Sequence, residues 1–131
     1  MLTWPHYHGD WASRIDEVDA LFARLACEIA RRETALIACY DDEHRAHVAD
    51  LLMHSCADLN RVELHIAASN DSWARDHGPI TVQRDGQPVL LDFSFNGWGG
   101  KYPAELDNRI TARLAAAGAF NETPLESVDL V

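Results

Sequence analysis

The chain predicts an α/β fold, and three observations carry that expectation. Apolar residues recur at helical spacing between residues 15 and 29. Short apolar or alternating runs of strand length flank the helical stretches. An Asp-Gly pair, Asp85-Gly86, separates two extended runs and signals a hairpin. In chain order the elements read β-α-β-α-β-β-β-α-β, the pattern that packs helices against a sheet.

Residues 2–4 end a strand, because the following Pro5 has no N–H to offer a ladder. His6-Tyr7-His8-Gly9-Asp10 follows as a loop. Its His-x-His pair is a metal-ligating pattern, but no carboxylate and histidine set completes a site, so these read as polar loop residues. Ser13 and Asp16 form a capping pair for the first helix. Ile15, Val18, Phe22, Leu25 and Ile29 make its apolar stripe, widened by Leu21 and Ala26, and the stripe is a core face. Arg31 and Arg32 suit the negative end of that helix.

Residues 34–40 read as a buried strand. Asp41 or Asp42 caps a second helix running to about His54, with Val48, Leu51 and Leu52 inward. His44 and His47 lie three apart on it and read as a solvated face. Val62, Leu64 and Ile66 alternate with Glu63 and His65, giving a strand with one wetter side. Residues 80–84 and 88–95 form the hairpin arms, with Val89-Leu90-Leu91 buried on both faces. Asn96-Gly97-Trp98-Gly99-Gly100 is a loop, since its glycines weaken helix and strand alike. Trp98 is either an anchor for a ligand or a core residue in a tight turn. A third helix starts at Asp107 or Asn108, uses Ile110, Leu114 and Ala117, and stops at Gly118. Residues 127–131 begin another strand.

The 131 residues bound the chain to one domain, with 47% hydrophobic and 24% charged residues, an ordinary globular composition. A net charge of -10 disfavours nucleic acid or an anionic membrane as partner and is compatible with a cationic substrate. No apolar run is long enough to span a bilayer. The N-terminus has no basic region followed by an apolar run, so no signal peptide is expected. Cys27, Cys39 and Cys56 form no C-x-x-C pair, which suggests free thiols and cytoplasmic residence. Cys27 and Cys39, in apolar runs, read as small buried hydrophobes.

The chemistry concentrates in Asn70-Asp71-Ser72-Trp73-Ala74-Arg75-Asp76-His77-Gly78-Pro79, a loop between two strands. Trp73 and Asp76 are three apart and share a side of any helical turn. An indole beside a carboxylate fits a flat cation: the ring face attracts the charge, and the acid accepts paired N–H bonds from a guanidinium. Asp71 supplies further acceptors. The competing reading makes Asp71, Arg75 and Asp76 a surface ion-pair cluster with Trp73 in the core.

This motif resembles the agmatine deiminase and bacterial (Porphyromonas-type) peptidyl-arginine deiminase family. So do Phe95-Asn96-Gly97-Trp98-Gly99-Gly100-Lys101-Tyr102 and Leu2-Thr3-Trp4-Pro5-His6 with Trp11 beyond it, and the three segments stand in family order. The resemblance implies a five-fold pseudosymmetric α/β propeller (pentein) with the active site in a central funnel. Residues 1–131 would supply about its first two blades, a single N-terminal portion shorter than the family pattern at both ends.

It also implies hydrolysis of a guanidinium to a ureido group with loss of ammonia, by a Cys nucleophile, a His proton shuttle and orienting carboxylates. No metal or organic cofactor is implied. Asp76 becomes the guanidinium-binding carboxylate of the catalytic apparatus. Trp73 lies beside the substrate, and Asp71 and Trp98 are further substrate-binding residues. The family's catalytic His and late Cys match nothing in this sequence, and neither the three cysteines nor His77 fits those roles. The 131 residues alone are therefore expected to be inactive. The loop 96–100 lacks the Arg that would hold a substrate carboxylate, which favours agmatine over peptidyl-arginine. Two other classes stay open: a non-catalytic binding module completed by a partner chain or a homo-oligomer, and a metal-dependent hydrolase built on His6, His8 and a carboxylate.

Overall fold

The computed structural model describes residues 1–55 and 59–129. Its strands form two separate three-stranded sheets, ordered β1-β2-β3 and β4-β5-β6. In the first, β1 (Leu2–Thr3), β2 (Ala35–Cys39) and β3 (Val62–Ile66) run parallel, with Leu2 opposite Ile37 and Ala35 opposite Val62. Helices α1 (Ile15–Ala30) and α2 (Asp42–Ser55) are the two crossovers that parallel pairing requires. In the second, β4 (Ile80–Arg84) and β5 (Gln87–Phe93) are an antiparallel hairpin, and α5 (Ile110–Ala116) returns the chain to β6 (Leu125–Val128), parallel to β5.

The hairpin turns on Asp85 and Gly86, with φ of 52° and 78°. Positive φ at both positions matches the twist of the arms, and Asp-Gly accommodates it. Val89 and Leu90, which point to opposite faces, are both buried, so both faces are covered there as expected, while Leu91 is half-buried. Strand β6 begins at Leu125, two residues before the expected start, and residues 130–131 of the expected strand lie outside the described residues.

The core under the first sheet joins Trp4, Ala23, Ala26, Ile37, Cys39, Val48 and Leu52. Trp4 is fully buried, and its indole N–H donates to Asp19 Oδ1 at 2.7 Å. That bond pulls Asp19 inward and sets the rotation of α1. Consequently the expected stripe is corrected on one edge. Val18, Ala23, Ala26 and Ala30 are buried, whereas Leu21 and Leu25 are 53% and 42% exposed. Ser13 is no cap either: it lies in a 3-10 turn, Ala12–Arg14, and α1 starts without a side-chain cap. Asp41 does cap α2, accepting the His44 N–H at 2.8 Å. A smaller core joins Ala38, Ala67, Ile110 and Leu114 beneath α5. Ala117 is exposed and α5 ends before it, followed by Gly118 with φ 77°.

One cysteine expectation changes and one holds. Cys27 is disulfide-bonded, not a free thiol. Cys39 is a free, fully buried cysteine, and burial pushes its thiol up to about 12. Cys56 lies outside the described residues. No helix among the described residues is long and apolar enough to cross a membrane.

Candidate functional site

The motif between β3 and β4 contains a single short helix, α3 (Ala74–His77), entered from Trp73. Residues 70–72 lead into it, held by a reciprocal clasp with the start of the 3-10 turn, Asp107–Arg109, that precedes α5. Asn70 Oδ1 accepts the backbone N–H groups of Leu106 and Asp107 at 2.8 and 3.3 Å. Asp107 Oδ1 accepts those of Asn70 and Asp71 at 2.7 and 3.3 Å. Asp107 is 1% exposed, and burial raises its carboxyl above the ordinary range. The next residue, Asn108, holds the second loop: Nδ2 donates to the Phe95 carbonyl at 2.6 Å and Oδ1 accepts its N–H at 2.7 Å. Thr111 on α5 donates to the His77 carbonyl at 3.3 Å.

The second loop winds into α4 (Gly97–Gly100), a single turn of left-handed backbone. Gly97, Gly99 and Gly100 have φ of 61°, 81° and 78°, and Trp98 sits among them at 56°. A bulky residue there is strained, and such strain gathers at functional sites. Asn96 caps the turn by accepting the Gly99 N–H at 2.8 Å. Gly97 has no alternative, because a Cβ would collide with the Tyr102 carbonyl.

The two clasped loops bring Trp73 and Trp98 edge to face, 5.8 Å apart at 88°. Phe95 and Tyr102 pack on Trp98 in the same manner, at 4.9 and 5.6 Å. Trp73 and Trp98 are 48% and 47% exposed, so neither is a core residue. Together with Asp10, Trp11, Asp71 and Tyr102 they line a hollow of about 300 Å³. Asp71 is turned to structural use. Its Oδ1 accepts the Ser72 N–H and hydroxyl at 2.6 and 3.3 Å, and its Oδ2 accepts the Trp73 indole N–H at 2.8 Å.

Three of the four candidate residues, Asp71, Trp73 and Trp98, are thus assembled in one place. Asp76 is not among the residues lining the hollow: it is exposed on α3, one turn from Trp73, and forms no ion pair with Arg75 among the described residues. Asp10, Trp11 and Tyr102 complete the hollow without having been singled out for it. Trp11 and Tyr102 stood in the quoted segments, which was the available signal. Asn70 was also in view, but its partner lies 37 residues away.

A second cavity of about 330 Å³ opens beside His6, Tyr7, His8, Tyr40, His44 and His47. The polar-loop reading is corrected at His6 and the solvated-face reading at His44, while Tyr7 and His8 are exposed as expected. His6 is 3% and His44 6% exposed. His6 Nδ1 accepts the His8 N–H at 3.2 Å and its Nε2 bonds Ser69 Oγ at 3.1 Å. His44 Nδ1 accepts the Tyr40 N–H at 2.9 Å, so its Nε2 carries the proton and donates to the Pro5 carbonyl at 3.0 Å. Burial lowers both pKa values below the ordinary 6.5, with neighbouring His44 adding to the fall at His6 and the bond to the Pro5 carbonyl opposing it at His44. His47 bonds Asp19 at 2.7 Å. Among the described residues no group of three or more His, Cys, Asp or Glu is arranged to hold a metal.

The clasped tryptophan loops are matched at the level of the whole chain. The model of the Porphyromonas-type peptidyl-arginine deiminases matches residues 1–129. The chain belongs to that family. An agmatine deiminase of Stutzerimonas stutzeri is 32% identical over 101 residues, 76% of this chain and 26% of that protein. A Porphyromonas gingivalis structure assigned as an arginine deiminase is 42% identical with a TM-score of 0.79, covering 96% of this chain and 36% of that one. The C. jejuni agmatine deiminase with substrate bound is 26% identical with a TM-score of 0.80, over 96% and 35%. The α/β fold of this family member is therefore that of the agmatine and peptidyl-arginine deiminases. The chain spans about a third of the length of the relatives it matches.

Proposed function

We propose that this chain is the guanidinium-binding portion of an agmatine deiminase-type hydrolase, and that its two sheets are blades of a larger propeller. The observation that carries the reading is the exposed indole of Trp73, one helical turn from the exposed carboxylate of Asp76, which has no ion-pair partner among the described residues. Asp71 fixes that indole through its ring N–H. In this reading Asp76 accepts paired N–H bonds from the guanidinium and Trp73 stacks beside it.

The reaction converts agmatine and water to N-carbamoylputrescine and ammonia. A thiolate attacks the guanidinium carbon, ammonia leaves with a proton from a histidine, and water then releases the ureido product from the thiouronium. A guanidinium is a poor electrophile, so fixing and charge-pairing it before attack by a soft nucleophile lowers the barrier. The thiolate and shuttle come from outside this chain in our reading. Cys39 is sealed in the core with its thiol raised to about 12, and Cys27 is already bonded. His77 is 2% exposed, and burial lowers its pKa from the ordinary value.

Two measurements test this. The isolated chain should release no ammonia from agmatine, and turnover by it would overturn the division of labour. In a longer protein containing this chain, Asp76→Asn should cost roughly 10²–10³-fold in kcat/KM for agmatine. Undiminished turnover would remove Asp76 from the reaction.

A further inference from the structure

Two carboxylates border the aromatic hollow, but only one is at liberty. Asp71 spends both oxygens on Ser72 and the Trp73 indole. Asp10 is exposed and has no hydrogen-bond or ion-pair partner among the described residues. Beside it stand three indoles and a phenol, each between 38% and 48% exposed. Leaving four large rings in water is unfavourable unless something covers them. Rings plus an unpaired acid suit a cation far better than a neutral or anionic group. One of these rings already holds one: Lys101 Nζ lies 5.3 Å from the Tyr102 centroid, although Lys101 does not line the hollow.

We propose that this hollow is a second cation subsite, in which Asp10 and the rings of Trp11, Trp98 and Tyr102 receive a primary alkylammonium. The choice of ammonium over guanidinium rests on the reading of Asp76 given above. Asp76 lies outside the hollow, and Trp73 belongs to both places, three residues from Asp76 and on the hollow's wall. An extended dication therefore lies across Trp73, with its reacting guanidinium on Asp76 and its far ammonium on Asp10. A substrate with a carboxylate at that far end, such as free or C-terminal arginine, would set like charge against Asp10. Asp10 is thus a specificity-determining residue that favours decarboxylated substrates.

The test needs no catalysis. Three of the chain's four tryptophans line the hollow and Trp4 is buried, so intrinsic fluorescence reports occupancy. Putrescine, which carries ammonium groups and no guanidinium, should quench saturably, and Asp10→Asn should weaken it about tenfold. Glu43→Gln removes the same charge elsewhere and should leave the affinity within about twofold. Circular dichroism confirms that each variant folds, and Trp11→Phe provides a second lesion in the same wall. Absence of a saturable putrescine response, or equal weakening by Glu43→Gln, would overturn the subsite. The outcome separates from that of the proposed reaction. If Asp76→Asn leaves turnover intact while putrescine binding still depends on Asp10, the reaction falls and the subsite stands. If turnover is lost but Asp10→Asn binds normally, the subsite alone falls.

Discussion

The histidine cavity and the aromatic hollow are nearly equal in size, about 330 and 300 Å³, yet they use polar side chains in opposite ways. In the histidine cavity the buried rings face inward. His44 satisfies one backbone N–H and one carbonyl, His6 a backbone N–H and a hydroxyl, and His47 and Trp4 share Asp19. In the aromatic hollow one acid has no partner among the described residues and the indoles are about half exposed. The first arrangement holds the chain together. The second has unsatisfied affinity, and that contrast, rather than residue type, separates a structural cluster from a site. Histidines drew the metal reading, but both ring nitrogens of the buried pair are already engaged.

Substitutions sharpen this contrast. The largest effect on the fold falls where the hollow depends on buried polar atoms. Asp107→Ala strands two backbone N–H groups and should lower unfolding free energy by about 2–4 kcal/mol, read by urea denaturation. Gly97→Ala meets both a positive φ and the Tyr102 carbonyl, and should cost about 2–3 kcal/mol while abolishing putrescine quenching. His44→Ala should cost about 1–3 kcal/mol by orphaning the Tyr40 N–H, and leave putrescine binding unchanged. A binding defect in that variant would break the distinction between the two cavities.

Acidity probes the same contrast more gently. His6, His44 and His77 have folded pKa values below the unfolded value near 6.5. In the window below that value the unfolded chain binds more protons, so stability is intact above about pH 6.5 and declines as pH falls toward the folded values. Denaturation midpoints should be flat from about pH 7 to 8 and lower at about pH 5.5. His44→Ala should flatten part of that slope. The smallest effect is expected for Asp10→Asn, which should alter stability by no more than about 0.5 kcal/mol because Asp10 has no hydrogen-bond or ion-pair partner among the described residues.

Local patterns made much of this fold legible. The Asp85-Gly86 turn, the Asp41 cap and the Val48 and Leu52 face all follow from spacing or turn chemistry within a few residues. What escaped was long-range. Whether six extended runs form one sheet or two depends on which edges meet, and periodicity carries no information about that. Nothing in the spacing of α1 marks Asp19 for burial: its partners are Trp4, fifteen positions earlier, and His47, and with Asp19 turned inward Leu21 and Leu25 face out. For the site, Trp73, Asp71 and Trp98 stood out as costly side chains in loops. Asp10 did not, because a lone acid after a glycine looks like any turn. Its meaning comes from rings contributed by residues 11, 73, 98 and 102.

Asp107 and Asn108 are neighbours in sequence, yet each fastens a different loop. Fraying of the first turn before α5 therefore frees both at once. Deuterium should enter the amides of Asn70, Asp71 and Phe95 through a common opening event, at rates that move together when that turn is weakened. A ligand seated between the loops would slow all three, so amide exchange offers a gauge of occupancy that needs neither chromophore nor turnover.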